Sequence, residues 1–246
     1  MKGSDHVDAL FAALLAAGES VPRVAAVLSG GVDEEVLVAV LRRAVPLRAL
    51  EHLARTPPWS ESSRVLSAIV LNPKAPPRLS LALVPALPWR SLADVAASPR
   101  VPSAVRLRAE SVLKERLPEM RLGEKITLGR LATAPVLMLL LVETDARILE
   151  SGLDNPRLRE ADLATLLRRP DVAPVLIEAA AASSRWRRSY VVKLEIAVQP
   201  RSPLAVALAQ LSSLNRGDLI RVSRTPGLRG LLQAAALRVA EGSDSQ

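Results

Sequence analysis

The sequence predicts an all-α fold, a right-handed α-solenoid in which about fifteen short helices pair as hairpins. Three observations lead to this prediction: the composition, the spacing of prolines and an internal repeat. Hydrophobic residues make up 49% of the 246 residues but aromatic residues only 2%, so leucine, alanine and valine must form the core. No useful run alternates apolar and polar residues with β-branched enrichment, and strands are therefore not expected.

The prolines predict where the helices end. Eight leucines each lie seven residues before a proline. Because proline lacks an N–H group and clashes inside a helix, each of these prolines is predicted to end a helix about two turns long. The pairs are Leu15/Pro22, Leu50/Pro57, Leu66/Pro73, Leu92/Pro99, Leu128/Pro135, Leu149/Pro156, Leu163/Pro170 and Leu219/Pro226.

The chain also contains two related blocks. Residues 59–113 align without a gap with residues 186–240, at an offset of 127. A shorter unit starts at Leu50, Leu92, Leu128 and Leu163, at separations of 42, 36 and 35 residues, which is the size of a helical-pair repeat. Matching positions of the two blocks include Trp59/Trp186, Pro73/Pro200, Leu92/Leu219 and the small residues Ala109/Ala236.

These patterns give a domain organisation. Residues 1–45 fit the repeat less well and are predicted to form N-terminal capping helices. Residues 46–241 are predicted to form the helical repeats, and residues 242–246 a frayed tail. We expect one structural domain overall.

Residues 72–113, NPKAPPRLSLALVPALPWRSLADVAASPRVPSAVRLRAESVL, resemble the HEAT-like repeats of bacterial proteins, close to the leucine-rich-repeat-variant type. The recurring Asn72-Pro73, Asn155-Pro156 and Gln199-Pro200 add to the likeness. The resemblance implies a binding role, as scaffold or adaptor. Leucine-rich-repeat-variant proteins carry cysteines for an iron–sulfur cluster, but this chain has no cysteine, so that cofactor is not expected.

The composition argues against several other functions. Without cysteine there are no disulfides and no thiolate metal site, which favours the cytoplasm. His6 and His52 lie far apart and lack a nearby ligand partner, so neither a metal site nor histidine catalysis is expected. The longest apolar run, residues 134–142, is too short to span a bilayer. We therefore expect a cytoplasmic protein that is not an enzyme and has no cofactor.

The charge points to a candidate binding surface. The net charge is +8, and residues 181–246 hold ten basic and four acidic residues. A dense basic and aromatic cluster lies where a helix is predicted to start, over residues 187–198, and a helix N-terminus favours anions. In the alternative interpretation, Trp186 packs between repeats and the arginines are solvated. The candidate partner-binding residues are Arg185, Trp186, Arg187, Arg188, Tyr190, Arg221 and Arg224.

The sequence thus predicts a non-catalytic protein–protein interaction scaffold or adaptor, which binds an acidic partner through its basic C-terminal third. A first alternative is a helical-repeat protein that binds nucleic acid. The positive net charge and the three tryptophans support this alternative. A second alternative is a structural protein that assembles end to end through its terminal repeats. The sequence does not fix the oligomeric state.

Overall fold

The computed structural model describes residues 2–242, and the fold is all-α, as predicted; no strand occurs within this range. Seventeen α-helices and four single 3-10 turns are present there, against the fifteen helices expected. The helices are α1 (Lys2–Ala17), α2 (Val21–Leu28), α3 (Glu34–Val40), α4 (Leu47–Arg55), α5 (Ser63–Val70), α6 (Pro77–Leu83), α7 (Trp89–Ala97), α8 (Ser103–Arg116), α9 (Leu122–Leu131), α10 (Ala134–Leu140), α11 (Ala146–Leu153), α12 (Glu160–Leu167), α13 (Pro174–Ala182), α14 (Tyr190–Val198), α15 (Leu204–Gln210), α16 (Arg216–Arg224) and α17 (Gly230–Gly242).

The chain divides into two compact units. Unit 1 ends at Pro118 and unit 2 begins at Glu119. Residues 1–45, the predicted caps, contain α1, α2 and α3. The predicted tail at residues 242–246 lies outside the described residues, except for Gly242 at the end of α17.

Alternate helices contact each other in both units. In unit 1, helices α1, α3, α5 and α7 contact in succession, while α2 contacts α4 and α6 contacts α8. In unit 2, helices α10, α12, α14 and α16 contact in succession, as do α9, α11 and α13. Consecutive helices such as α7 and α8, or α16 and α17, also pack together as hairpins.

Seven of the eight leucine–proline pairs behave as predicted: the helix that carries the leucine is 8 to 10 residues long and ends two to four residues before its proline. Helix α1 is the exception, since it is 16 residues long and ends before Gly18, whose φ is positive, well ahead of Pro22. Pro22 and Pro135 additionally lie in the first turn of the next helix, where the missing N–H group has no intrahelical partner to lose.

The two sequence blocks have helices with matching bounds. Adding 127 to the bounds of α6 gives those of α15, and adding 127 to those of α7 gives those of α16. The N-caps correspond as well: Ser62 Oγ accepts from the Val65 amide at 3.3 Å, and Ser189 Oγ accepts from the Val192 amide at 3.1 Å. A serine at the N-cap satisfies an amide that the helix leaves unpaired.

At three places a buried side-chain amide follows a helix, and each of these amides makes the same set of hydrogen bonds to the backbone. Asn155 is fully buried. Its Nδ2 donates to the carbonyls of Gly129 and Ala132 at 2.7 and 3.1 Å, and its Oδ1 accepts from the Arg157 amide at 2.8 Å. The donated bonds reach back 23 and 26 residues, to the end of the helix two before, so the amide ties alternate helices together. We call this arrangement an amide clamp.

Asn72 and Gln199 form the other two clamps. Asn72 donates to the carbonyls of Leu41 and Arg43 at 2.6 and 2.8 Å. Gln199 donates to the carbonyls of Leu167 and Arg169. Each also accepts from the backbone amide two residues later, at 2.9 and 3.1 Å. The recurring Asn-Pro or Gln-Pro pair in the sequence therefore marks a repeated hydrogen-bonding device.

Replacing Asn155 or Gln199 by alanine should each destabilise the protein by about 1–3 kcal/mol, because two carbonyls lose their donor in an apolar interior. Chemical denaturation followed by circular dichroism measures this loss. Gln210→Ala is the matched control, since Gln210 donates only to Val206 in its own helix, and its cost should be about 0.5 kcal/mol or less. Equal effects at Gln199 and Gln210 would show that the clamp contributes nothing.

Ala109→Leu and Ala236→Leu should each destabilise by about 1–3 kcal/mol through overpacking. Both alanines are fully buried at corresponding positions of α8 and α17. Ala104→Leu in α8 is the control because Ala104 is exposed. Denaturation midpoints that stay unchanged for both buried substitutions would contradict the packing described here.

Candidate binding surface

Arg185 and Trp186 form part of a turn in unit 2 that packs against residues 153–158 of the same unit. Trp186 is 5% exposed, and its Nε1 donates to the Leu153 carbonyl at 2.8 Å. Arg185 donates to the carbonyls of Asn155 and Leu158, and its guanidinium lies 4.3 Å from the centre of the Trp186 ring. These contacts agree with the alternative interpretation, in which Trp186 packs between repeats, and they extend it to Arg185.

The helix after this turn starts later than predicted. Helix α14 begins at Tyr190, not at residue 187, because Ser189 supplies the N-cap. Arg187 and Arg188 consequently precede the helix instead of forming its first turn. Both are exposed, and neither has an ionic or hydrogen-bonding side-chain partner in the part of the chain that the structure describes.

Tyr190 connects the starts of two helices. Its hydroxyl is hydrogen-bonded to the Asp218 carboxylate and accepts from the Asn215 amide at 3.1 Å. Partial burial and the bond to Asp218 raise the pKa of the Tyr190 phenol above its ordinary value. Because Asn215 caps α16, this contact places the N-termini of α14 and α16 side by side.

The two pairs of candidate arginines occupy different positions along two neighbouring helices. Helices α14 and α16 contact each other with their N-termini adjacent. Arg187 and Arg188 lie before the start of α14, whereas Arg221 and Arg224 lie in the second half of α16. At 1.5 Å per residue, Arg221 is about 8 Å and Arg224 about 12 Å along the axis from Arg216. The two pairs are thus offset from each other along the helix axes.

Arg221 instead lines a groove of about 450 Å³ with two arginines that the sequence analysis did not single out, Arg168 and Arg201. Glu195, which is 5% exposed, lies in the same groove. Its Oε1 accepts from Nε and Nη2 of Arg168 at 2.8 and 2.5 Å. These hydrogen bonds, and then the opposite charge, raise the pKa of the Arg168 guanidinium.

One signal in the sequence could have revealed this pair. Glu195 lies on the same face of α14 as the buried Val192 and Ile196. A carboxylate on an apolar stripe requires a hydrogen-bonding or cationic partner, because burying it alone is very costly. The partner is 27 residues away, which explains why local spacing did not identify Arg168.

Comparisons of the chain with protein-family models, with curated proteins and with solved structures find no match. Within residues 2–242, no helix combines the length and the apolar character that crossing a bilayer requires. The same residues contain no group of three or more histidine, cysteine, aspartate or glutamate side chains that could hold a metal ion.

Tyr190, the single tyrosine of the chain, should titrate above about pH 10 in the native protein, the usual pKa of the phenol. The stability it contributes is complete below the unfolded-state pKa and is lost as pH rises through the higher native pKa. Absorbance near the tyrosinate band against pH, in native and urea-unfolded protein, measures the difference.

Asp218→Asn should move the native titration back toward the unfolded value, because it removes the carboxylate beside the phenol. Asp145→Asn is the control, since Asp145 pairs with Arg147 instead. Identical titration of native and unfolded wild-type protein would contradict the described environment of Tyr190.

Proposed function

We propose that this chain is a non-catalytic scaffold or adaptor that binds an acidic protein partner through exposed arginines of unit 2. In this proposal the helical hairpins form HEAT-like repeats arranged as a right-handed solenoid. The succession of contacts between alternate helices supports a repeat architecture, and so do the three amide clamps, because the same device recurs along the chain.

The observation that carries the proposal is a group of exposed cations without internal partners. Arg187, Arg188, Arg221 and Arg224 are exposed, and no carboxylate of the described chain pairs with any of them. Exposed guanidinium groups bind carboxylates in bidentate fashion when a partner supplies them. Arg185 and Trp186 anchor the turn that carries Arg187 and Arg188, since both donate hydrogen bonds to backbone carbonyls of residues 153–158.

An acidic protein is favoured over nucleic acid by the aromatic residues. Trp186, the one tryptophan of this surface, is buried, so its ring does not form an open platform for stacking bases. Glu160, hydrogen-bonded to Ser189, places a carboxylate at the residue that follows Arg188. A phosphate backbone would be repelled there, whereas a protein can place a cation or a hydroxyl opposite Glu160.

The double variant Arg187→Glu, Arg188→Glu should bind an acidic polypeptide more weakly and keep its fold, because the position that corresponds to Arg188 in unit 1 is already Glu61. Fluorescence anisotropy with labelled poly-L-glutamate measures the affinity. The control Arg130→Glu, Arg238→Glu has the same change in charge at exposed positions of α9 and α17. Equal binding by wild type and both variants would contradict the proposed surface.

A labelled DNA duplex separates the two ligand classes. If nucleic acid is the ligand, the affinity of wild type for the duplex should exceed that for poly-L-glutamate. It should then fall by about 10³-fold or more as salt rises from about 50 to 200 mM, and the slope should be shallower by about two in the variant. That result would overturn the protein-partner proposal. Weak, salt-sensitive binding of the duplex supports it.

A further inference from the structure

Unit 1 contains a second basic groove, on the side of the molecule where α3, α5 and α7 meet. Its volume is about 610 Å³, which lies in the range of small-ligand sites. The small side chains of Ser63, Ser67 and Ala68 on α5 line it, and so does one carboxylate, Asp94. Four arginines line the same groove: Arg42, Arg64, Arg90 and Arg100.

The amide clamps relate this groove to the one in unit 2. Asn72 binds the carbonyls of Leu41 and Arg43, and Gln199 binds those of Leu167 and Arg169. Arg42 therefore corresponds to Arg168, the residue between the two carbonyls in each unit. The N-caps of α3 and α12, at residues 33 and 159, have the same offset of 126.

The partner of Arg168 is missing in unit 1. Glu195 corresponds to Ala68, since the bounds of the following helices differ by 127. Arg168 is thus neutralised by a buried carboxylate from the next helix of its row, whereas the corresponding position in the groove of Arg42 holds an alanine. The two grooves are built in the same way, but only in unit 2 does the chain itself supply a carboxylate to this arginine.

Other charges around the groove do not replace the missing carboxylate. Arg64 is paired with Glu34 and Glu35, at 3.2 and 3.7 Å. Arg42, Arg90 and Arg100 have no ionic or hydrogen-bonding side-chain partner among residues 5–242, and Asp94 makes no ion pair with any of them. Three arginines therefore face one unpaired carboxylate, and a net positive charge remains for a ligand.

We propose that the groove of unit 1 binds the phosphate group of a small phosphorylated ligand, whose charge takes the place that the Glu195 carboxylate occupies in unit 2. Guanidinium groups match the oxygens of phosphate in bidentate geometry. The Ser67 hydroxyl, 2.7 Å from that of Ser91, adds polar contacts, and Asp94 can accept a hydrogen bond from a hydroxyl or amine of the same ligand. The proposal concerns unit 1 alone and is independent of the arginine surface of unit 2.

The test supplies the missing carboxylate. Ala68→Glu should pair with Arg42 as Glu195 pairs with Arg168, and should weaken binding of phosphate at least about tenfold, or 1.4 kcal/mol. Isothermal titration calorimetry at low ionic strength, with inorganic phosphate and with phenyl phosphate as separate probes, measures the affinity. The matched control is Ala104→Glu, which makes the same change in charge at an exposed position of α8 and should bind as wild type does.

A second variant guards against misfolding, since Ala68 is half-buried. Arg42→Gln changes an exposed side chain and should lose binding to a similar extent without affecting the thermal unfolding seen by circular dichroism. Tighter binding of phenyl phosphate would assign the site to a phosphomonoester, and tighter binding of inorganic phosphate to the free anion. Failure of both probes to bind wild type with a Kd of about 1 mM or tighter, or equal binding by all variants, would overturn the proposal.

Discussion

The amide clamp is the hydrogen-bonding constraint that fixes pairs of alternate helices at three places in the fold. A helix ends with carbonyls that have no partner in the helix, and a fold made of many short helices buries many such ends. At Asn72, Asn155 and Gln199, one side chain satisfies two of these carbonyls and orders the turn that follows it. Because backbone carbonyls are present in every residue, the clamp does not depend on the side chains of the helix that it binds.

Because the clamp binds only backbone groups, the exposed side chains of these helices can vary without changing the buried contacts. The clamped residues and the aliphatic stripe are under structural constraint, whereas the outer faces of the same helices can change without disturbing them. The two grooves illustrate this freedom: Arg42 and Arg168 lie between corresponding clamped carbonyls, but the corresponding position on the next helix of the row is Ala68 in one unit and Glu195 in the other. A helical array of this kind can therefore acquire or lose a charge site by a single substitution.

Sequence reasoning predicted the features that depend on the local chain. Proline chemistry determines where the helices end, and the offset of 127 predicted helices with matching bounds. The start of α14 was predicted three residues too early, because an arginine-rich turn was assigned to the helix and the capping role of Ser189 was not recognised. The division of the chain into two units also has no marker in composition, since no linker of distinct character occurs near Pro118.

The candidate site was harder to predict because it depends on partners distant in sequence. Trp186 binds a carbonyl 33 residues away, and Glu195 binds Arg168 across 27 residues. Counting charges along the chain cannot show which arginines are already satisfied. It grouped Arg185 with Arg187 and Arg188, although the side chain of the first is bound to backbone carbonyls and those of the other two have no partner among the described residues.

The proline after each clamping amide also affects the chemical stability of the asparagine side chains. An asparagine side chain is converted to aspartate when the backbone nitrogen of the next residue attacks its carbonyl carbon, and this attack requires an N–H group. Proline has none, so Asn72-Pro73 and Asn155-Pro156 are blocked from this reaction. Conversion would place a carboxylate against two carbonyl oxygens in a buried site, which is very costly. The residue that stops the helix thus also gives its neighbour chemical durability.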